Sequence, residues 1–327
     1  MQFPIPKKAL LRLLADGRFH SGAELARDLG LSRTAIWNLI HELESLGLEI
    51  CAVRGKGYRL NRPLELLCET SIRGYLSEPA SALASSLEIH DELDSTNSHL
   101  ARQAAAGAAV CLAEVQSAGR GRVGRIWLSP LGGNIYLSVL WHFDDHSAFA
   151  GLSLAVGVAV IRALRQAGVD GANLKWPNDI LWHARKLGGI LLEASGEAHG
   201  RHAIMIGIGL NLYMPPGRGQ GIDQAWTDLA QIMGGAIPPR NRLIALLLNE
   251  LLPMLRDYGQ TGLRAFLDEW RAYHCFDGQL VTLQQGTHRI SGRVAGVTET
   301  GLLVLECEEG GRREFASGDM RLRADVH

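Results

Sequence analysis

No stretch of this sequence stays apolar for the roughly 20 residues that a bilayer-spanning helix needs. The longest apolar runs, such as Ile204–Leu212 and Leu243–Leu248, stop well short, so helical membrane proteins are excluded. The N-terminus has two lysines but no apolar run leading to a small-residue cleavage site, so no secretory leader is expected and the expected location is cytoplasmic. Cysteine is sparse: Cys51, Cys68, Cys111, Cys275 and Cys307 are dispersed, with no Cys-x-x-Cys spacing. An odd, scattered set argues for a reducing compartment and against both a disulfide framework and structural zinc. The 12 histidines form no His-Glu-x-x-His pair, and no protein-bound transition metal is expected. Excess charge of one sign is also missing, for the net charge is only -1. That balance hides an asymmetry: residues 1–62 carry 10 Lys and Arg against 6 Asp and Glu, and the remainder is mildly acidic. A basic head on an acidic body suggests that the head alone meets a polyanion.

What is present is a soluble, globular composition, 46% hydrophobic and 20% charged, over 327 residues. That length is too great for one ordinary core, and the chain reads as an α+β protein of three domains. Residues 1–62 read as a winged helix-turn-helix. Leucines at helical spacing fill Lys7–Leu14, Ser21 with Glu24 opens a second helix that stops at Gly30, and Ser32 caps a third over Arg33–Leu46. Ile36, Leu39, Ile40 and Leu43 form that helix's apolar stripe. Ser32, Arg33, Thr34, Trp37 and Asn38 are left for the other face, although Trp37 suits a core equally well. A glycine-turned hairpin follows, with Arg54 and Lys56 at its tip. Such a helix followed by a basic wing suits major-groove reading with backbone contacts.

Residues 63–272 alternate strand-like and helix-like segments. Strands are expected at Val110–Gln116, Ile135–Trp141, Ala172–Lys175, Ile180–His183, Gly189–Ala194 and Ala203–Leu212, and helices at Ala148–Ala167, Pro239–Tyr258 and Leu263–His274. Successive strands over Ala172–Leu212, joined by tight glycine turns, favour a mixed sheet over a doubly wound one. Residues 273–327 read as an SH3-like β-barrel with a packing or docking role and no site of its own.

The loop Gly119-Arg120-Gly121-Arg122-Val123-Gly124-Arg125 contains a Gly-x-Gly-x-x-Gly pattern. A dinucleotide fingerprint must open a helix whose N-terminus holds the pyrophosphate, and the continuation Ile126-Trp127-Leu128-Ser129-Pro130 cannot start one. Three arginines among glycines make instead a flexible anion clamp that orders around phosphate. Further on, Lys175-Trp176-Pro177-Asn178-Asp179 places a carboxylate on a turn, and Lys186 stands before Gly188-Gly189, where backbone can approach a ligand closely. Taken alone, each is as well explained as an ordinary turn or a solvated lysine. Pro215-Pro216-Gly217 and the glycines after it, within Met214–Ile222, read as a second loop over the ligand.

Together these segments resemble the biotin protein ligase family, completed in the same order by Ser95-Thr96-Asn97, Gln116 and Gly207-Ile208-Gly209-Leu210-Asn211. With the basic head, the chain resembles the bifunctional type that also represses the biotin operon. The resemblance implies that ATP and biotin form biotinoyl-5′-AMP, with Mg²⁺ on the ATP phosphates, and that the biotinoyl group passes to a lysine of the biotin carboxyl carrier protein. It implies that Ser95, Thr96, Asn97 and Gln116 hold the biotin head group, and that Arg120 and Arg122 close over carboxylate and phosphate. It assigns Lys186 to the reacting oxygens, Asp179 to the incoming lysine, and Arg125, Trp127, Lys175, Asn178 and Asn211 to the nucleotide. It further implies an adenylate-bound homodimer on operator DNA. The alternatives are a lipoate-type ligase, which lacks the arginine-loop pattern, and a ligase with a vestigial head.

Overall fold

The computed structural model describes residues 1–103, 107–145, 149–198, 201–285, 288–307, 310–316 and 320–324. The head consists of helices α1 (Ile5–Leu14), α2 (Gly22–Leu29) and α3 (Arg33–Ser45), followed by strands β1 (Ile50–Val53) and β2 (Gly57–Leu60). The expected caps are in place: Ser21 Oγ accepts from Glu24 N and Ser32 Oγ from Ala35 N, both at 3.1 Å, and Gly30 ends α2 at φ +65°. Leu10, Leu11, Leu14, Leu25, Ile36, Ile40, Leu43 and Leu60 pack together beneath them. Gly57 is obligatory, because a Cβ there would lie 1.9 Å from the His20 carbonyl oxygen where the wing is laid against the start of α2. The head core continues into the body through Val115 and Leu131, and Leu131 N donates to Leu46 O at 2.9 Å.

The body begins with α4 (Glu69–Tyr75), α5 (Glu78–Leu83), β3 (Ser86–Leu93), α6 (Thr96–Ala101), β4 (Ala109–Gln116), β5 (Ile135–Phe143) and α7 (Leu152–Gln166). It continues with β6 (Ala172–Lys175), β7 (Asp179–Trp182), β8 (Arg185–Ala198), β9 (Arg201–Leu210), α8 (Leu229–Ile232), α9 (Arg240–Thr261) and α10 (Leu267–Tyr273). Seven strands form one mixed sheet in the order β3-β4-β5-β9-β8-β7-β6, parallel only between β3 and β4. Side chains alternate across it. Val110, Leu112, Leu137, Val139, Ile206 and Ile208 meet α7 and α9 in the main core, whereas Ala109, Cys111, Ala113, Leu140 and Met205 face α6. Among the described residues, no helix is long and apolar enough to cross a membrane.

Several sequence expectations change here. The helix expected over Ala148–Ala167 runs over Leu152–Gln166, and Ala148 lies outside the described residues. Gly151 precedes that helix at φ +71° against Leu263, and the close packing falls to Gly157, whose Cβ would lie 3.0 Å from Leu174. The turn between β7 and β8 contains no glycine. Its centre is His183-Ala184 at φ 45° and 61°, as a two-residue hairpin requires of both positions. Strand β8 therefore starts earlier than expected, with Lys186, Gly188 and Gly189 inside it.

The C-terminal strands are β10 (Leu280–Gln285), β11 (His288–Val297), β12 (Leu303–Cys307), β13 (Gly311–Phe315) and β14 (Met320–Ala324), all antiparallel in the order β13-β12-β11-β10-β14. Among the described residues β13 and β14 do not pair, so the sheet is open rather than a closed barrel. Its apolar side, including Val281, Leu283, Val294 and Phe315, joins the main core, and Gly301 O accepts from Trp176 Nε1 at 2.9 Å.

Candidate active site and nucleic-acid surface

A cleft of about 1470 Å³ opens where the arginine loop, the first turn of α6, the β6–β7 turn, the first half of β8 and the end of β9 meet. Its floor is made possible by glycines. A Cβ at Gly209 would lie 2.5 Å from the Trp127 ring, and one at Gly207 would lie 2.6 Å from Asn97 Oδ1. Any side chain at either position would displace a cleft residue.

At one end, α6 presents Ser95, Thr96 and Asn97, all buried. Gln116, the last residue of β4, accepts from Thr96 N at 2.9 Å and donates to Ser129 Oγ at 2.9 Å. Ser138 Oγ lies 2.6 Å from both Thr96 Oγ1 and Asn97 Oδ1, its one proton going to the amide oxygen, and Asn97 Nδ2 donates to Glu193 Oε2 at 2.8 Å. Sequence reasoning missed Ser138, Ser129 and Glu193. The available signals were a serine inside the apolar strand Ile135–Phe143, and the even spacing of Glu193 from the cleft residues Gly189 and Leu191.

The arginine loop is a narrow turn, not a helix start. Trp127 N donates to Gly119 O and Gly121 N to Arg125 O, with Val123 at φ 55° between them. Arg120 donates to Glu193 Oε2 at 2.9 Å, and Arg122 donates to Asn178 Oδ1 at 3.1 Å. Among the described residues, Trp127 Nε1 and Arg125 Nε are buried donors without an acceptor. Such donors are costly unless a further partner arrives.

The opposite wall holds the strongest charges. Asp179, 9% exposed, places Oδ1 2.7 Å from Lys186 Nζ and Oδ2 3.4 Å from Lys175 Nζ. Burial alone would raise the Asp179 carboxyl; the attraction of Lys186 and then Lys175 outweighs it and holds the group ionised, below its ordinary value. Lys186 Nζ also lies 5.6 Å from the Trp127 ring centroid. Asn211, at the end of β9, is anchored by donation to Thr227 O at 3.1 Å. The cleft thus gathers Ser95, Thr96, Asn97, Gln116, Arg120, Arg122, Arg125, Trp127, Lys175, Asn178, Asp179, Lys186 and Asn211. Ile222 from the second loop lines it too, and Arg218 from that loop reaches the last turn of α3, donating to Glu44 O and Ser45 O at 3.0 and 3.1 Å.

The head presents a separate surface. Ser32, Arg33, Thr34, Trp37 and Asn38 are exposed on α3, and Arg54 and Lys56 are exposed on the wing. Trp37 is 51% exposed, which resolves its ambiguity against the core.

Comparison with known proteins covers nearly the whole chain. The biotin/lipoate A/B protein ligase family matches residues 90–211, a helix-turn-helix domain matches 7–59, and the biotin protein ligase C-terminal domain matches 278–323. The chain is 38% identical to the bifunctional ligase/repressor BirA of Escherichia coli (strain K12) over 98% of both chains. It is 32% identical to that of Bacillus subtilis (strain 168) over 97% of this chain and 98% of the relative. Among solved structures, the biotin protein ligase from Aquifex aeolicus in complex with biotin and ATP aligns with a TM-score of 0.64 at 27% identity, over 74% of this chain and 100% of that one.

Proposed function

This chain belongs to the biotin protein ligase family, with the bifunctional ligase/repressors, and from that premise we propose that it adenylates biotin and transfers it to a carrier lysine. The observation that carries this reading is the cleft's division of labour. A neutral hydrogen-bonding pocket at Thr96, Asn97 and Gln116 stands opposite the Lys186–Asp179–Lys175 triad, with the arginine loop between them.

A ureido ring offers two N–H donors and one carbonyl, which hydroxyl and amide groups can match. The biotin carboxylate then attacks the α-phosphorus of ATP; the new C–O–P linkage forms as the bond to pyrophosphate breaks. Lys186, Arg120 and Arg122 stabilise the charge gathered on those oxygens. Arg122 retains the adenylate, Trp127 and Arg125 turn their buried donors to the nucleotide, and Asn178, Asn211 and Lys175 complete its side of the cleft. In the second step a carrier lysine amine attacks the anhydride carbonyl, AMP leaves with the bridging oxygen, and the amine's proton passes to the Asp179 carboxylate. Asp179 positions Lys186 throughout, and the longer contact to Lys175 is the one that an incoming amine replaces. ATP arrives as its Mg²⁺ complex. Among the described residues the carboxylates at the cleft are Asp179, engaged by two lysines, Glu193, engaged by Arg120 and Asn97, and Asp223, so the ion rides on phosphate rather than in an acidic cage.

The head supports operator binding through Ser32, Arg33, Thr34, Trp37 and Asn38, with Arg54 and Lys56 on the backbone. Val123 and Ile126 are 62% and 78% exposed on the arginine loop, an apolar edge suited to pairing two adenylate-bound chains. Incubation with biotin, MgATP and a biotin carboxyl carrier protein is expected to label one carrier lysine, read by mass spectrometry. Absence of labelling at that lysine contradicts the transfer step.

A further inference from the structure

On the α6 side of the sheet, outside the cleft, four metal-ligating side chains converge from three elements. Glu88 and His90 stand two residues apart on β3 and so share a face. His99 comes from α6, and Cys111 is the β4 residue paired with Glu88. One donor atom from each of His90, His99 and Cys111 lies within 4.8 Å of the others. Glu88 Oε2 is 3.1 Å from His90 Nε2 and 3.0 Å from His99 Nε2. No ligand-spacing motif marks this cluster, because parallel pairing of β3 with β4, not proximity in the chain, assembles it.

Hydrogen bonding alone leaves a conflict at His99. Its Nε2 faces the Glu88 oxygen, which needs a proton on that nitrogen. The same Nε2 lies 2.9 Å from the Gln103 amide nitrogen, which needs a lone pair there, and one ring nitrogen cannot offer both. Turning the amide over would set its oxygen against the Glu88 carboxylate, to which its nitrogen now donates at 3.1 and 3.2 Å. A cation relieves the Glu88 side of this conflict, because it accepts lone pairs from the carboxylate and both rings and leaves the Gln103 amide to donate to Glu88 alone. A tetrahedral Zn²⁺ with bonds of about 2.0–2.3 Å spaces its donors about 3.3–3.6 Å apart; the Glu88 oxygen now stands 3.1 and 3.0 Å from the two ring nitrogens, and a donor atom of Cys111 lies within 4.8 Å of one on each histidine. Two imidazoles, one thiolate and one carboxylate suit a borderline-soft ion rather than Mg²⁺.

We propose that Glu88, His90, His99 and Cys111 form a structural site for a divalent transition-metal ion of the Zn²⁺ class. Binding displaces the Cys111 thiol proton to solvent and forms four metal–ligand bonds. It also ties the far end of α6, whose first turn carries Thr96 and Asn97, to β3 and β4.

The test uses the full-length protein, dialysed against a chelator and titrated with Co²⁺ as a spectroscopic probe. A saturating thiolate-to-cobalt charge-transfer band with tetrahedral d–d absorption, reversed by Zn²⁺, is expected. Cys111→Ala should abolish the charge-transfer band, and His99→Ala should weaken Co²⁺ binding at least about tenfold. Absence of the band from the parent protein, or its survival in Cys111→Ala, overturns the site. If Cys111→Ala does not fold, melting decides: Zn²⁺ should raise Tm in the parent protein but not in His90→Ala or His99→Ala. Equal shifts in all three, or none in the parent, overturn it.

Discussion

His274, which ends α10 beside Leu174 of β6, is 7% exposed and stacked on Trp270 at 4.4 Å. Among the described residues neither ring nitrogen has a hydrogen-bond partner, and burial pushes the imidazole down to about 4. Because that value is below the unfolded one near 6.5, the unfolded chain takes the proton first. The stability held by neutral His274 is complete above pH 6.5 and is lost as pH falls towards 4. His274→Phe keeps the stack and removes the titration. The parent should lose roughly 3 kcal/mol more than the variant between pH 7 and pH 4 in urea unfolding; parallel losses contradict this. At the cleft, Lys186→Met should cut biotin-dependent exchange about 10²–10³-fold. Asp179→Asn should also lower that exchange, because Lys186 Nζ loses the carboxylate that holds it at 2.7 Å. Unchanged exchange would mean that Asp179 does not position Lys186.

Elements connect the cleft to the head. Arg218 is in the loop whose far end, at Ile222, lines the cleft, yet its guanidinium satisfies two carbonyls at the C-terminal end of α3. Those carbonyls lie in the last turn and carry the negative end of the helix dipole, Glu44 O also accepting from Gly47 N at 3.0 Å. Arg218→Ala should raise amide exchange across residues 43–48 and weaken operator binding, measured by hydrogen exchange and gel shift; no change in either breaks the link. Ser32→Ala, at the other end of α3, should cost about 0.5–2 kcal/mol of stability, read by thermal unfolding. Much of this element scale was legible in the sequence, for capping serines, glycine stops and apolar periodicity are local signals. Strand β3 and helices α4–α6 were not, because 63–101 is short, polar-rich elements without clear period, made regular by packing on α9 and β4. The His183-Ala184 turn was illegible for a related reason. Flanking strand pairing imposes positive φ on residues that do not advertise it.

At the scale of the molecule, one sheet divides the labour. One face builds the helical core, the other carries α6 and the cleft, and the head is locked on at Leu131, Asp91 and Tyr213. The motifs that line the cleft were readable because each is a short run with unusual chemistry. Their convergence was not, since it depends on β8 and β9 bringing glycines from distant positions under Trp127. On DNA, the basic head should show a steep fall of affinity with salt. Arg54→Ala and Lys56→Ala should each reduce the log–log slope by about 1 without changing sequence preference, whereas Asn38→Ala should relax it. Unchanged slopes would remove the wing from the interface. The central claim, adenylation of biotin in this cleft, is tested most directly by exchange of labelled pyrophosphate into ATP with the purified protein. Exchange that requires biotin, and that lipoate or octanoate does not support, is the predicted result; exchange driven by lipoate or octanoate, or none with biotin, contradicts it.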